Sequence, residues 1–153
     1  MDINFNKNED HNKLLLSDLK QRFAKVRLGG GEKRIEKLHA EVAKWQAADS
    51  SVKVIPALHY IAVTAQGSNS VNNKHRLRMP FRQIDTIVNW AKSIDAVVFL
   101  DIQVGHSSIK EEVVSLANYF KLPNVHLGID PEFSMKNGET PGTKIGTFTA
   151  DDI

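Results

Sequence analysis

The sequence predicts an α/β fold, with an N-terminal helical hairpin followed by an incomplete parallel βα sheet of the TIM-barrel type. Three β-like runs, at residues 54–64, 96–103 and 124–130, alternate with helical runs. The connections are too long for hairpins, which favours parallel strands joined by crossover helices. Polar side chains follow each run at its downstream end, where parallel α/β proteins bind their ligands.

Residues 1–48 predict a helical leader, and residues 49–153 predict the partial barrel-like domain. Apolar residues recur at helical spacing in a first helix that stops at three glycines, and again in a second helix. The first stripe is Leu15, Leu19, Phe23 and Val26, and the second is Ile35, Leu38, Val42 and Trp45. Both helices are amphipathic, so the hairpin suits internal packing or docking of a partner.

Capping signals define the helices of the second domain. Pro80 is predicted at the first helical position, and Ser108 with Glu111 forms a capping box. The second of these helices is expected to turn five apolar side chains inward: Ile109, Val113, Leu116, Ala117 and Phe120. A fourth strand is expected near Thr143, and Thr149 then offers an N-cap with Asp152 three residues on.

Composition excludes several classes of function. The 153 residues carry a net charge of +2, which is far from the basic stripe of a nucleic-acid-binding protein. Segment 74–78, KHRLR, is the densest basic patch, and we interpret it as a solvated loop rather than a phosphate site. Absence of cysteine excludes disulfides and thiolate chemistry. No signal-like or membrane-spanning apolar run is visible, so we expect a cytoplasmic chain with no membrane span.

The strand ends supply the candidate site. Asp101, Asp130 and Glu132 are the candidate catalytic groups, and His59, Gln66 and Gln103 are the candidate substrate-binding groups. Paired carboxylates at adjacent strand ends suit general acid/base chemistry on a glycosidic or ester bond. They would equally suit a hard cation. In a purely structural interpretation Asp101 and Asp130 cap loops, and His59 is a satisfied sheet residue. We assign no cofactor and no metal, because His106 and His126 lack partners at metal-ligand spacing.

The N-terminal forty residues resemble the start of an acyl-CoA carboxylase carboxyltransferase subunit. The resemblance rests on LLLSDLK at 14–20 and LGGGEKRIEKLHA at 28–40, and it stops at residue 41. In that family the catalytic crotonase-like core lies downstream, and none of it is present here. The resemblance therefore implies no catalytic residue, but it implies an assembly role for the leader.

From about residue 45 onward the chain resembles a family of bacterial exported proteins with barrel-like, glycosidase-like domains. The matching segments are VIPAL at 54–58, LDIQVG at 100–105, LGIDPEF at 127–133 and PGTKIG at 141–146. The resemblance implies that Asp101, Gln103, Asp130 and Glu132 line the mouth of a barrel. It also implies export, which the signal-free N-terminus does not support.

These observations lead to two hypotheses. In the first, the chain is a fragment of a glycosidase-like hydrolase that binds a carbohydrate or another small molecule. A full barrel needs about 250 residues, so we expect the chain to be inactive alone and to self-associate through exposed sheet edges. In the alternative, it is a binding or assembly module that docks on a carboxylase-type partner through its N-terminal helices.

Overall fold

The computed structural model describes residues 31–68 and 71–153, and within them the chain is α/β. Three α-helices accompany four β-strands in this part of the chain: α1 (Gly31–Ala48), β1 (Ala57–Ala65), β2 (Arg76–Arg78), α2 (Phe81–Ser93), β3 (Val97–Ile102), α3 (Ile109–Ser115) and β4 (Val125–Ile129). The three strands expected from apolar runs are therefore confirmed. The first helix of the expected hairpin lies outside the described residues.

The sheet is mixed rather than parallel throughout, with strand order β2-β1-β3-β4. β1 pairs in parallel with β3, and β3 pairs in parallel with β4, as the crossover helices require. β2 is antiparallel to β1 at the outer edge, with Thr64 opposite Leu77. The basic segment expected to be a solvated loop thus supplies an edge strand.

One face of the sheet carries the hydrophobic core. Val98, Leu100 and Ile102 of β3 are fully buried and share a cluster with the buried residues of α2. Those α2 residues are Ile84, Ile87, Val88 and Ala91, which recur at helical spacing. Because side chains alternate along a strand, Phe99 and Asp101 lie on the opposite face.

The helix boundaries differ slightly from expectation. Pro80 is the N-cap residue of α2 rather than its first helical residue. Ser108 caps α3 by accepting from the Glu111 amide at 3.2 Å, which confirms the N-cap half of the predicted capping box; the Glu111 carboxylate pairs with Arg76 and Arg78. Ala117, expected inside, is exposed beyond the helix end at Ser115.

The C-terminal segment forms no strand near Thr143, so that prediction is wrong. Gly146 instead packs against the backbone of Ser134 and donates its amide to the Glu132 carbonyl at 2.6 Å. The expected N-cap is present, because Thr149 and Asp152 form a capping box around a short 3-10 turn, Ala150–Asp152.

Helix α1 covers part of the core with its own apolar stripe. Leu38 is 2% exposed within the core cluster, and Val42 packs against that cluster. Trp45, on the same stripe, is 40% exposed. No helix in the described part of the chain combines the length and apolar character needed to cross a membrane.

Candidate functional site

The non-core face of the sheet brings His59 and Asp101 together. His59 of β1 lies opposite Phe99 of β3, so Asp101 is its diagonal neighbour on the same face. His59 Nε2 and Asp101 Oδ2 are 3.1 Å apart. The side chains are 24% and 12% exposed respectively, which keeps the pair in reach of a ligand while shielding it from bulk water.

Gly128 of β4 makes room for the Asp101 carboxylate. The two residues are register partners, and a Cβ at position 128 would lie only 3.0 Å from Asp101 Oδ1. Asp101 Oδ1 also accepts the Ile102 amide at 3.1 Å. The carboxylate therefore has donors on both oxygens and a residue without a side chain beside it.

Gln103 ties together the carboxyl ends of the three parallel strands. Its Oε1 accepts the Ala65 amide at 3.1 Å, and its Nε2 donates to Asp130 Oδ2 at 3.1 Å. The backbone hydrogen bonds of the sheet continue one residue past β3 and β4. The Gln103 amide donates to the Val63 carbonyl, and the Asp130 amide donates to the Ile102 carbonyl. Gln103 and Asp130 thus extend the row that begins with Asp101.

The other two predicted site residues do not join this group. Gln66 donates through Nε2 to the neighbouring Ala65 carbonyl, and its own amide bonds His75, so it fastens the turn between β1 and β2. Glu132 is exposed on a 3-10 turn, Pro131–Phe133. Its carboxylate makes no hydrogen bond or ion pair within the described part of the chain.

Two pairs of rings flank the row. Phe99 and His126 face each other on neighbouring strands with their centroids 5.3 Å apart. His75 and His106 stack at 4.4 Å, and His106 Nε2 lies 2.7 Å from the Glu139 carbonyl oxygen. Among residues 31–68 and 71–153 no three His, Asp or Glu side chains are grouped to hold a metal ion.

A charged cluster that the sequence analysis missed lies on the α3 side of β2. Glu112 is fully buried, and Arg76 Nε and Arg78 Nε each donate to it at 2.7 Å. Ser107 donates a short third hydrogen bond. Burial raises the pKa of Glu112, but hydrogen bonds from Arg78, Ser107 and Arg76 outweigh it and hold the pKa below its ordinary value.

The sequence did contain a signal for this cluster. Position 112 lies three residues after Ile109 and four before Leu116, so an acidic residue interrupts the inward stripe of α3. A carboxylate on such a stripe requires a buried cation partner. The basic segment at 74–78 was the available source of one.

A pocket near these residues is separate from the predicted site. It has a volume of about 310 Å³ and lies between β1, β2 and the two crossover helices, lined by Ala62, Val63, Arg78, Met79, Pro80, Phe81, Ser115 and Leu116. None of the six predicted site residues lines it.

Chemically, the row offers a histidine held by a carboxylate and a second carboxylate held by an amide. A proton on His59 Nε2 would bond Asp101 and leave Nδ1 as a base. Asp130 Oδ1 accepts no hydrogen bond within the described part of the chain, so it has capacity for a ligand hydroxyl. No protein-family model, curated protein or solved structure matches this chain.

Proposed function

We propose that the row formed by His59, Asp101, Gln103 and Asp130 is part of a carbohydrate-binding, glycosidase-like hydrolase site in a partial βα barrel. The single observation that carries the proposal is the pair of hydrogen bonds, His59–Asp101 and Gln103–Asp130, side by side at the carboxyl edge. Ligands of parallel α/β proteins bind at this edge.

The two carboxylates suit different tasks. Asp101 receives donors on both oxygens, which fixes the carboxylate in place and suits a group that stabilises developing positive charge. Asp130 has one oxygen engaged by Gln103 and the other available to a ligand hydroxyl. Glu132 is the third candidate carboxylate of the proposed site. It is exposed, so it would have to move toward the row when substrate binds.

The open sheet leads us to expect binding without turnover. The four strands form an open sheet rather than a closed barrel within the described residues, whereas hydrolases enclose the reacting bond and exclude water from it. We therefore expect mono- and oligosaccharides to bind weakly, and chromogenic glycosides to remain intact. Clear turnover that Asp101→Asn abolishes would overturn the expected inactivity.

Backbone amide NMR tests the binding site directly. Titration with a panel of sugars should shift the amide signals of Asp101, Gln103 and Asp130, and Asp130→Asn should weaken the response. Asp151→Asn is the matched control, because Asp151 is an exposed aspartate outside the row, and it should change the response little. Shifts that avoid the row for every sugar would reject the proposal.

The alternative, an assembly module that docks on an acyl-CoA carboxylase-type partner, has one supporting observation. Trp45 exposes 40% of its surface on the apolar stripe of α1. Leu38, on the same stripe, is already used by the chain's own core. Capture of a purified carboxylase subunit that Trp45→Ala abolishes would support docking, whereas unchanged capture would count against it.

A further inference from the structure

The outer edge of β4 has backbone groups that point away from the sheet. Val98 donates to the Asn124 carbonyl at 2.7 Å, and Asp130 donates to the Ile102 carbonyl at 3.1 Å. In a parallel pair alternate residues face the neighbouring strand. Positions 126 and 128 therefore face β3, while Leu127 and Ile129 present their N–H and C=O groups outward. No strand in the described part of the chain pairs with this edge.

The two edges of the sheet differ in their protection. The opposite edge, β2, carries two arginines, and charged side chains are a common defence against edge-to-edge pairing. β4 reads VHLGI and has no Asp, Glu, Lys or Arg. Leu127 at its centre is 37% exposed. An uncharged, apolar edge is the one to which another strand can add.

We propose that β4 pairs antiparallel with β4 of a second copy of this chain, about a two-fold axis at Leu127. The sequence of the strand is self-complementary in this register. Leu127 faces Leu127, the branched Val125 faces Ile129, and His126 faces Gly128, which has no side chain to obstruct the imidazole. Because the outward groups belong to positions 127 and 129, Leu127 of each copy donates to and accepts from its counterpart.

The charges of the two edges support this occupant, and the small size of the contact predicts its strength. Pairing β4 with β2 of another copy would set two arginines against an apolar edge, whereas β4 with β4 brings no like charges together. A five-residue strand edge buries far less than the about 1,200–2,000 Å² of a stable complex. The dimer should therefore be weak and concentration-dependent.

The pairing has a consequence for the candidate site. His126 of the second copy would lie beside Gly128. On its other side, Gly128 is paired with Asp101 of β3. The second copy would thus cover the outer side of Gly128, next to the candidate site. This consequence depends on the proposed function, but the pairing does not, because its test reads molecular mass rather than ligand binding.

Sedimentation velocity of the full chain over a wide concentration range tests the proposal. The average mass should rise toward that of two chains, and Leu127→Lys should return it to that of one. Leu77→Lys is the matched control, since Leu77 is also the exposed centre of an edge strand, at 51%, and should leave dimerisation unchanged. A single-chain mass at every concentration would overturn the proposal, as would equal effects of the two lysines.

Two further variants cover the case in which Leu127→Lys fails to fold. Leu127→Pro removes one outward N–H without touching the ladder to β3, so a folded variant should lose dimerisation. Leu127→Cys adds one thiol to a chain that has none, and facing residues about 5.5 Å apart permit a disulfide. Oxidation should link Leu127→Cys but not Leu77→Cys, and linkage of both to the same extent would reject the stated register.

Discussion

Arg76 Nε lies 2.7 Å from Glu112 Oε1, although the two residues are 36 positions apart in the sequence. This contact joins the edge strand β2 to α3 across the end of β1. Arg78 makes the equivalent bond to Glu112 Oε2 at 2.7 Å, so both carboxylate oxygens are bound by arginine. Without these bonds a three-residue strand would have little to hold it on the sheet.

Replacing Glu112 with Gln should destabilise the protein by about 3 kcal/mol, the low end for breaking a buried ion pair. We expect the low end because only one of the two arginines stays buried after its partner is neutralised. Arg76 is 11% exposed, whereas Arg78 is 43% exposed and regains hydration. Urea unfolding followed by circular dichroism measures the loss. Glu111→Gln is the control, since Glu111 is 39% exposed and should change stability by less than about 1 kcal/mol. Equal losses would mean that burial of Glu112 does not matter.

Acid should unfold the protein in part through Glu112. A carboxyl whose folded pKa is lowered contributes stability that is fully present above its unfolded pKa, near 4.5, and is lost as pH falls through the folded pKa. The stability gap between wild type and Glu112→Gln should therefore be wide at about pH 7 and narrow in stronger acid.

The comparison with Glu112→Gln is needed because other carboxylates also titrate in acid. Hydrogen bonds from Lys136 and Thr149 lower the pKa of Asp152 to about 2. A backbone hydrogen bond and contacts with Lys144 and Asn137 lower that of Glu139 to about 2. Both are present in wild type and variant, so their effects cancel. A gap that stays constant with pH would show that Glu112 does not titrate as described.

Sequence patterns predicted the three parallel strands because their signal is local. The strand Val97–Ile102 reads as an unbroken apolar run up to Asp101, and such runs mark strands covered on both faces. Ser108 and Thr149 were also predicted correctly as N-caps, because a cap depends on residues three positions away. Local chemistry sufficed for these elements.

Strand β2 and its ion pairs were missed because their cause is not local. Arg76 and Arg78 resemble a solvated loop until α3, the crossover helix between β3 and β4, brings Glu112 beside them. Of the candidate site, the sequence grouped Asp101 with Asp130 by strand ends alone. It did not pair His59 with Asp101, since that contact depends on the register between β1 and β3.

Gly105→Ala should destabilise the protein by about 3 kcal/mol, because two penalties add. Gly105 has φ +58°, and a Cβ there would lie 2.4 Å from the His75 carbonyl oxygen. Gly138→Ala is the control, because Gly138 has φ +80° but nothing within 4 Å of the added atom, so about 1 kcal/mol is expected. Thermal unfolding of both variants measures the two losses, and a larger loss for Gly105→Ala would support the close approach of residue 105 to the His75 carbonyl. Similar losses would contradict it.

Gln103→Glu should destabilise the protein near neutral pH and recover in acid. The new carboxylate could still accept the Ala65 amide but would face Asp130 across the 3.1 Å that an amide now bridges. Two carboxylates this close raise the pKa of one of them above its unfolded value. The destabilisation is therefore fully present above the raised pKa, and it disappears as pH falls and that carboxylate is protonated. We expect a loss of about 2 kcal/mol at neutral pH, measured by urea unfolding. Adding Asp130→Asn should restore stability, because the new amide donates where Gln103 did. Wild-type stability of the single variant at neutral pH would show that the Gln103–Asp130 bond does not hold the strand ends together.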